Sequence, residues 1–310
     1  MPVDGGAFSF GVIFCLAVLL DTVLGDPHGF PHPVVLIGRY IALWTKTSSR
    51  SFMRGLLLCV STLALTAGIV GLMLWLTNGS IIVKVYLLYS ALAWRDLKDE
   101  TFPVLMCLLK HDITNARLYL SRVVGRDTGN LSEAEISRAA IETIAENSID
   151  GVISVMFWAC IGQVIDADYG ACMFVWLFKA ASTLDSMAGY ESLGAFGWPS
   201  AKLDDILNFI PARLGGLVIV FAGRRGLRVF LRDRLKHKSP NSAHGESAFA
   251  GVLGVKLGGG AFYGGKFEPR EWLNPDGRDP EAGDIVGAWR LLDTSCSLFA
   301  FLVILSLCLT

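Results

Sequence analysis

Long apolar runs broken by short charged blocks set the frame of this chain. The clearest run, Gly55 to Thr77 (GLLLCVSTLALTAGIVGLMLWLT), holds no charged residue and exceeds the roughly 20 residues an α-helix needs to cross a bilayer core. Less uniform runs cover Ala7–Gly25, with Asp21 near its end, and Ile81–Trp94, which is short and holds Lys84. Val152–Ile165 and Ala171–Ala188 flank the polar DADYG, and Ile285–Leu309 is apolar beyond Asp293. A backbone in hydrocarbon must satisfy its own hydrogen bonds, so helices are the expected elements. The pattern predicts an all-α, multi-pass integral membrane protein with about five to seven membrane helices and cytoplasmic helical and Gly-rich loops, one domain over residues 1–310. The N-terminal run, Ala7–Gly25, lacks a basic n-region and a small-residue cleavage site, so it reads as a retained span.

Polar residues collect in four blocks: 26–54, 95–150, 185–213 and 224–290. The first three alternate with the spans so as to share one side. Arg39, Lys46, Arg50 and Arg54 place that side in the cytoplasm by the positive-inside rule. Ile206–Ala222 conflicts with this. A full span there would carry the basic RRGLRVFLRDRLKHK, Arg224 to Lys238, outward. The expectation is therefore a re-entrant or interfacial segment, broken within PARLGG, with the basic stretch on the inner membrane surface, where anionic lipid attracts Lys and Arg.

Composition sharpens the class. The 310 residues are 53% hydrophobic and only 18% charged, against about 25% charged in a soluble chain. A formal net charge of −1 gives no global basic field for nucleic acid. The seven cysteines sit nearly all in apolar runs and form no C-x-x-C pair, which points to small buried hydrophobes. No repeat of 20–50 residues and no low-complexity tract is visible.

Candidate chemistry lies in the polar blocks. In LSEAEISRAAIETIAENS, Ser132 and Glu135 form a capping-box pattern. Arg138, Glu142 and Glu146 then fall at i, i+4 and i+8, with Asp150 where the helix is expected to end near Gly151. Hard oxygen ligands so spaced suit Mg²⁺, which takes one or two carboxylates plus substrate phosphates; a salt-bridged, solvated face fits the spacing too. In VGRDTGNL, Arg126 beside Asp127 and Thr128 in a Gly-flanked turn can fork an anion. DTVLGDPHGFPHP sets Asp21 and Asp26 at a span's end, and its rigid loop can carry Asp26 into a site; His28 and His32 across prolines make a poor metal pair. The third block holds Asp185, Tyr190, Lys202, Asp204, Asp205, Asn208 and Arg213, acids and bases interleaved as a metal-bridged polyphosphate requires or as a salt-bridged interfacial helix would carry them. GGAFYGGKF matches G-x-x-x-x-G-K at Gly260, Gly265 and Lys266, but Phe267 replaces the metal-binding Ser or Thr and no strand–loop–helix context surrounds it, so it does not read as a P-loop. KSPNSAHGESA reads as a turn, with Ser239, Asn241 and Ser242 as phosphate or amide contacts.

In order along the chain stand DTVLGDPHGFPHPVVLIGR, VGRDT, AAIETIAENSIDGV, TLDSMAGY, AKLDDILNFIPARL and SPNSAHGESAFAGVLGVKLGG. Together they resemble the CobD/CbiB family of cobalamin-biosynthesis membrane proteins, the adenosylcobinamide-phosphate synthases, from about Asp21 to Gly265. Val155 stands where the family often has proline, Ser182 where it often has Asn, and SAHG follows SPN in place of Ala-Gly; these departures bear on substrate preference more than on reaction class.

The resemblance implies an ATP- and Mg²⁺-dependent acid–amine ligase in the cell inner membrane with its site on the cytoplasmic side. Its partners would be adenosylcobyric acid, (R)-1-amino-2-propanol O-phosphate, ATP, the lipid bilayer and other membrane enzymes of nucleotide-loop assembly. Under that reading Glu142, Glu146 and Asp150 bind Mg²⁺, with Asp204 or Asp205. Arg126, Lys202 and Arg213 contact phosphates, and Asn147 and Asn241 orient substrate. Asp26 or Asp185 takes the proton of the attacking ammonium, and Glu146 is essential to ligation. Two rivals from other classes are a transporter, which would predict charges within broken helices and internal repeats, and a membrane lipid-phosphate enzyme, which would use the same acids, arginines and Mg²⁺.

Overall fold

A computed structural model describes residues 5–26, 32–46, 50–189 and 191–308; His28 and Tyr190 lie outside the described residues. In chain order the elements are α1 (Gly5–Leu24), α2 (Pro33–Thr45), α3 (Phe52–Leu76), α4 (Ile81–Tyr89), α5 (Trp94–Leu109), α6 (Ile113–Leu120) and α7 (Glu133–Asn147). A π-helical turn (Ser148–Ile153) leads into α8 (Ser154–Ile165), followed by α9 (Gly170–Ala188), α10 (Trp198–Leu207), α11 (Phe209–Gly223), α12 (Leu227–Asp233) and α13 (Ser242–Leu253). Four short strands, β1 (Leu257–Gly258), β2 (Ala261–Tyr263), β3 (Lys266–Glu268) and β4 (Trp272–Leu273), precede α14 (Ala282–Cys308). The chain is thus mostly helical. The all-α expectation is amended by two antiparallel ladders in the Gly-rich block, β1 with β4 and β2 with β3.

Among the described residues three helical stretches are long and apolar enough to cross a membrane: Phe52–Leu76, Glu133–Ile165 and Ala282–Leu307. A fourth candidate is the broken pair α10 and α11. The expected five to seven spans also counted Ala7–Gly25, Ile81–Trp94 and Ala171–Ala188, none of which is long and apolar enough among the described residues; Phe10–Leu24 is a shorter apolar helix, and so is Pro33–Thr45, which falls in the first polar block.

Two sequence expectations about breaks are corrected. The interruption expected within PARLGG falls instead at Asn208, and α11 runs unbroken through Pro211, Gly215 and Gly216. Pro211 stands in the first turn, where its missing N–H has no intrahelical partner to lose. The glycines serve packing: a Cβ on Gly216 would lie 2.4 Å from the Phe230 ring and one on Gly215 3.1 Å from Ile149. Nor does the acid-bearing helix end near Gly151. It continues through the π turn into α8, and the wider turn takes Asp150 out of the simple i, i+4 register that joins Glu142 to Glu146.

The chain forms two compact units. The first comprises residues 1–93, 154–208 and 301–310. Here α3 shows how one helix serves two environments. Gly55, Leu58, Cys59, Thr62, Thr66, Val70 and Leu74 recur at helical spacing and are buried, while Leu57, Val60, Leu65, Ile69 and Leu72 on the other side stay exposed. Such an outer apolar face is stable against lipid rather than water. The buried Thr62 hydroxyl donates to the Leu58 carbonyl at 2.8 Å, so it enters the interior already satisfied. Ile41, Leu58, Cys59, Leu184, Ala188 and Phe196 close this core. α8 and α9 approach backbone to backbone at Gly162 and Gly170, where a Cβ on either would strike the other's carbonyl oxygen at 2.2 or 2.0 Å.

The second unit comprises residues 94–153 and 209–300. Its centre is α13, buried nearly throughout, with α7, α11 and α12 packed around it. The small residues of SAHGESAFAG allow this: a Cβ on Gly245 would lie 2.6 Å from the Ala145 carbonyl, and one on Gly251 2.8 Å from the Gly226 carbonyl. α13 also brings His244, Glu246 and Ser247 inside, each at most 2% exposed. Polar groups so placed require partners or a use.

Candidate active site

The second unit gathers the strongest charge cluster. α7 starts at the capping box foreseen in the sequence: the Glu135 amide donates to Ser132 Oγ, and the Ser132 amide donates back to the Glu135 carboxylate. That start sets the register which turns Glu142 inward. Glu142 is 4% exposed. Its Oε2 lies 2.6 Å from Nη2 of Arg126, and Oε1 accepts from the Gly258 amide at 2.6 Å. Arg138 is farther from Glu142, at 4.0 Å, and its guanidinium stacks over Trp272 with 5.0 Å to the centroid. Of the face that spacing alone allowed to be solvated, the Glu142 end is a buried ion pair, while Glu146 one turn on is exposed. Burial lowers the pKa of the Arg126 guanidinium, but Glu142 and, behind it, Tyr263 and Glu246 together outweigh this and hold it above its ordinary value.

The turn that carries Arg126 is tied to the Gly-rich hairpin. Asp127 accepts from the amides of Gly264 at 3.1 Å and Gly265 at 2.7 Å, and its own amide donates to the Phe262 carbonyl. Gly264 and Gly265 have φ of 57° and 79°, the left-handed pair that a two-residue hairpin turn between β2 and β3 requires. Lys266 opens β3, so no helix N-terminus follows the G-x-x-x-x-G-K spacing and no P-loop forms. Beyond β3, Arg270 donates to the Tyr263 hydroxyl at 3.1 Å.

Around this pair stand groups that the sequence reading passed over. Glu246, from the segment read as a plain turn, sits on α13 and is 2% exposed. Burial pushes its carboxyl well above the usual range, and the like charges of Glu142 and Glu146 push the same way against Arg270 and Arg126. His237 Nδ1 lies 3.7 Å from Glu246 Oε1 and 3.2 Å from Ser242 Oγ, while its Nε2 is buried without a hydrogen-bond partner among the described residues. Burial, then Arg270, lowers the His237 pKa to about 4 despite Glu142. The imidazole is therefore neutral at pH 7 and faces a carboxyl that tends to keep its proton. One signal for Glu246 was present in the sequence: an acid alone among Ala, Gly, Ser and Phe. Arg270 had none, because only the hairpin returns it to the acids.

The remaining candidates of this unit are distributed around the cluster. Glu146 is solvent-accessible on α7 and interacts electrostatically with Arg270, Arg126 and Glu142. Asn147 turns back to donate to the Thr143 carbonyl at 2.9 Å. Asp150 is half-buried in the π turn. Arg213 reaches Asn241 Oδ1 at 3.3 Å, donates to the Phe209 carbonyl at 2.6 Å and stacks on the Phe209 ring. Among the described residues no group of three or more His, Cys, Asp or Glu side chains is arranged to hold a metal ion.

The first unit holds the other candidates. Asp26 pairs with His32 at 3.7 Å. Asp185 lies in the last turn of α9, where Gly189 leaves room for its carboxylate: a Cβ there would fall 1.9 Å from Asp185 Oδ1. Lys202 and Asp205 form an exposed i,i+3 pair at 2.7 Å. Asp204 accepts from Asn208 Nδ2 at 3.0 Å, and buried Ser154 donates to Asn208 Oδ1 at 2.7 Å.

Comparison with known proteins decides the family. The profile described as CobD/CbiB protein matches residues 14–292. The chain belongs to the CobD/CbiB family. Among its relatives, the cobalamin biosynthesis protein CobD of Pelobacter propionicus is 40% identical over 298 residues, 90% of each chain. CobD of Klebsiella pneumoniae is 38% identical over 306 residues, covering 92% of this chain and 93% of its own. The cobalamin biosynthesis protein CbiB of Salmonella typhimurium is 36% identical over 316 residues, covering 95% and 97%. No solved structure matches. The CobD/CbiB profile spans both units, so every candidate residue named above lies within the family's shared region.

Proposed function

We propose that this member of the family is the amide-forming ligase that joins (R)-1-amino-2-propanol O-phosphate to the free propionate carboxyl of adenosylcobyric acid, through an acyl phosphate derived from ATP. The observation that carries the reading is the cluster of Glu142, Glu146 and Glu246 with Arg126, Arg270 and His237, beside the Gly258 amide of β1. A carboxylate is a poor electrophile. Transfer of the ATP γ-phosphoryl group to its oxygen supplies a leaving group, the amine then attacks the acyl carbon, and the C–O bond breaks with release of phosphate. Arg126 and Arg270 supply positive charge where phosphate negativity gathers. The Glu142 carboxylate and the Gly258 amide hold this arrangement in place before substrate arrives.

The donor set fits magnesium in a limited sense. Glu142 is committed to Arg126 and Gly258, which leaves Glu146, and Glu246 once it gives up its proton, as the oxygen ligands within the cluster. Mg²⁺ needs only one or two carboxylates when substrate phosphates complete its shell. When bound, it would neutralise phosphate charge. For the proton that leaves the attacking ammonium, His237 joins Asp26 and Asp185 as a candidate acceptor: it is neutral, and its Nε2 has no partner among the described residues. Lys202, Arg213, Asn147, Asn241, Asp150, Asp204 and Asp205 remain candidate substrate, phosphate or metal contacts.

The test is ligation by the purified protein in detergent with ATP, Mg²⁺, adenosylcobyric acid and aminopropanol phosphate, with adenosylcobinamide phosphate read by mass. Replacing the amine with hydroxylamine should trap the activated acid as a hydroxamate. Glu146→Ala is expected to abolish ligation in a protein that stays folded. Wild-type turnover by that variant removes Glu146 from the site, and no product from the wild-type chain overturns the reading.

A further inference from the structure

The arginine-rich segment after α11 is not used by the chemistry above. Along α11, Ile210, Leu214, Leu217 and Phe221 recur at helical spacing and stay exposed, a stripe suited to hydrocarbon. The helix ends at Gly223, and the chain turns sharply through left-handed residues, Arg224 with φ 55° and Gly226 with φ 89°. It then enters α12, whose residues divide among three directions. One side is seated on α13: Phe230 is 1% exposed and Asp233 0%, and a Cβ on Gly226 would meet the Gly251 and Val252 backbone at 2.6–2.7 Å. A second side carries Leu227, Leu231 and, just past the helix, Leu235, which remain 49%, 53% and 62% exposed. Next to them stand exposed Arg224, Arg228 and Arg232.

The arginines are not equivalent. Arg232 pairs with Asp233 at 2.8 Å and Asp276 at 3.5 Å. Arg225 donates to the Val252 carbonyl. Arg224 and Arg228 make no side-chain hydrogen bond or ion pair among the described residues, so two positive charges stand uncompensated beside three exposed leucines. In water, that leucine row would be an unfavourable exposed stripe. At a bilayer surface it fits, with leucines at the acyl boundary and guanidiniums at the phosphates.

We propose that the segment from Arg224 to Leu235 lies flat in the headgroup layer and binds anionic phospholipid through Arg224 and Arg228, with Leu227, Leu231 and Leu235 inserted below the phosphates. Continuity with the exposed stripe of α11 and the uncompensated charge argue for lipid over a second copy of the chain. The test places the photo-crosslinking residue p-benzoylphenylalanine at Leu231 of the full-length protein, in nanodiscs of phosphatidylcholine and phosphatidylglycerol. Lipid adducts, enriched in phosphatidylglycerol over the nanodisc composition, are expected. Arg224→Gln and Arg228→Gln should each lower that enrichment on the order of 5-fold. Chain-to-chain adducts would mean that a second copy covers the stripe, and recovery of uncrosslinked protein would mean that it faces water. Either result overturns the proposal, as does enrichment that both glutamine variants leave unchanged.

Discussion

Removing Arg126 tests whether the buried pair with Glu142 organises the second unit. In Arg126→Ala, Glu142 keeps the Gly258 amide at 2.6 Å but loses the guanidinium at 2.6 Å. The two side chains are only 11% and 5% exposed, and the next cation, Arg138, stands 4.0 Å away, so neither water nor Arg138 fully compensates the carboxylate left behind. Breaking one side of such a pair costs about 3–5 kcal/mol. Glu142→Gln should cost less, about 1–3 kcal/mol, since its amide oxygen still accepts from Gly258 and Arg126 can lean toward its exposed edge. In the double variant neither charge is stranded, so its cost should fall short of the sum of the singles by about 2 kcal/mol. Equilibrium unfolding in mixed SDS–dodecylmaltoside micelles, followed by tryptophan fluorescence, measures all four corners of the cycle. Additivity within about 0.5 kcal/mol would show that the two residues do not act as a pair and would refute the reasoning. Ligation should fall in both single variants, because the arginine that the pair positions is the one proposed to meet phosphate.

Acid should weaken the part of the second unit's stability that rests on its two buried imidazoles. Burial lowers both His237 and fully buried His244 to about 4 from an ordinary 6.5, so between these values the unfolded chain binds protons that the fold does not. The imidazole share of stability is then complete above about pH 6.5 and is lost as pH falls toward 4, by roughly 3 kcal/mol per imidazole, while Glu246, whose carboxyl is raised by burial, contributes with the opposite sign. His244→Asn should flatten that slope in a pH series of unfolding, and an unchanged slope would count against the assignment. Gly216→Ala should destabilise by about 1–3 kcal/mol, because its Cβ falls 2.4 Å from the Phe230 ring, and Phe230→Leu should recover part of that loss in the same assay.

Much of this architecture is legible along the chain, for local reasons. A charge-free run longer than a bilayer crossing becomes α3, because only a helix satisfies its backbone in hydrocarbon. Ser132 and Glu135 start α7 at the foreseen residue because a capping box is a contact within one turn. The same spacing that put Glu142 and Glu146 on one face could not say whether the face was wet. That depended on Arg126, distant in sequence, and on the Gly258 amide, which reaches Glu142 only because β1 pairs with β4. Glu246 and His237 escaped notice because their meaning comes from burial, and α13 is buried only through the packing of α7, α11 and α12 around its small residues. Composition alone puts a break near Pro211, yet it lies at Asn208, since a proline in a first helical turn costs no hydrogen bond. The sequence by itself determined the helical character, the longest span and the family, since these rest on periodicity, length and ordered motifs. Only the tertiary structure decided which charges meet, because a buried carboxylate is defined by partners that lie far from it along the chain.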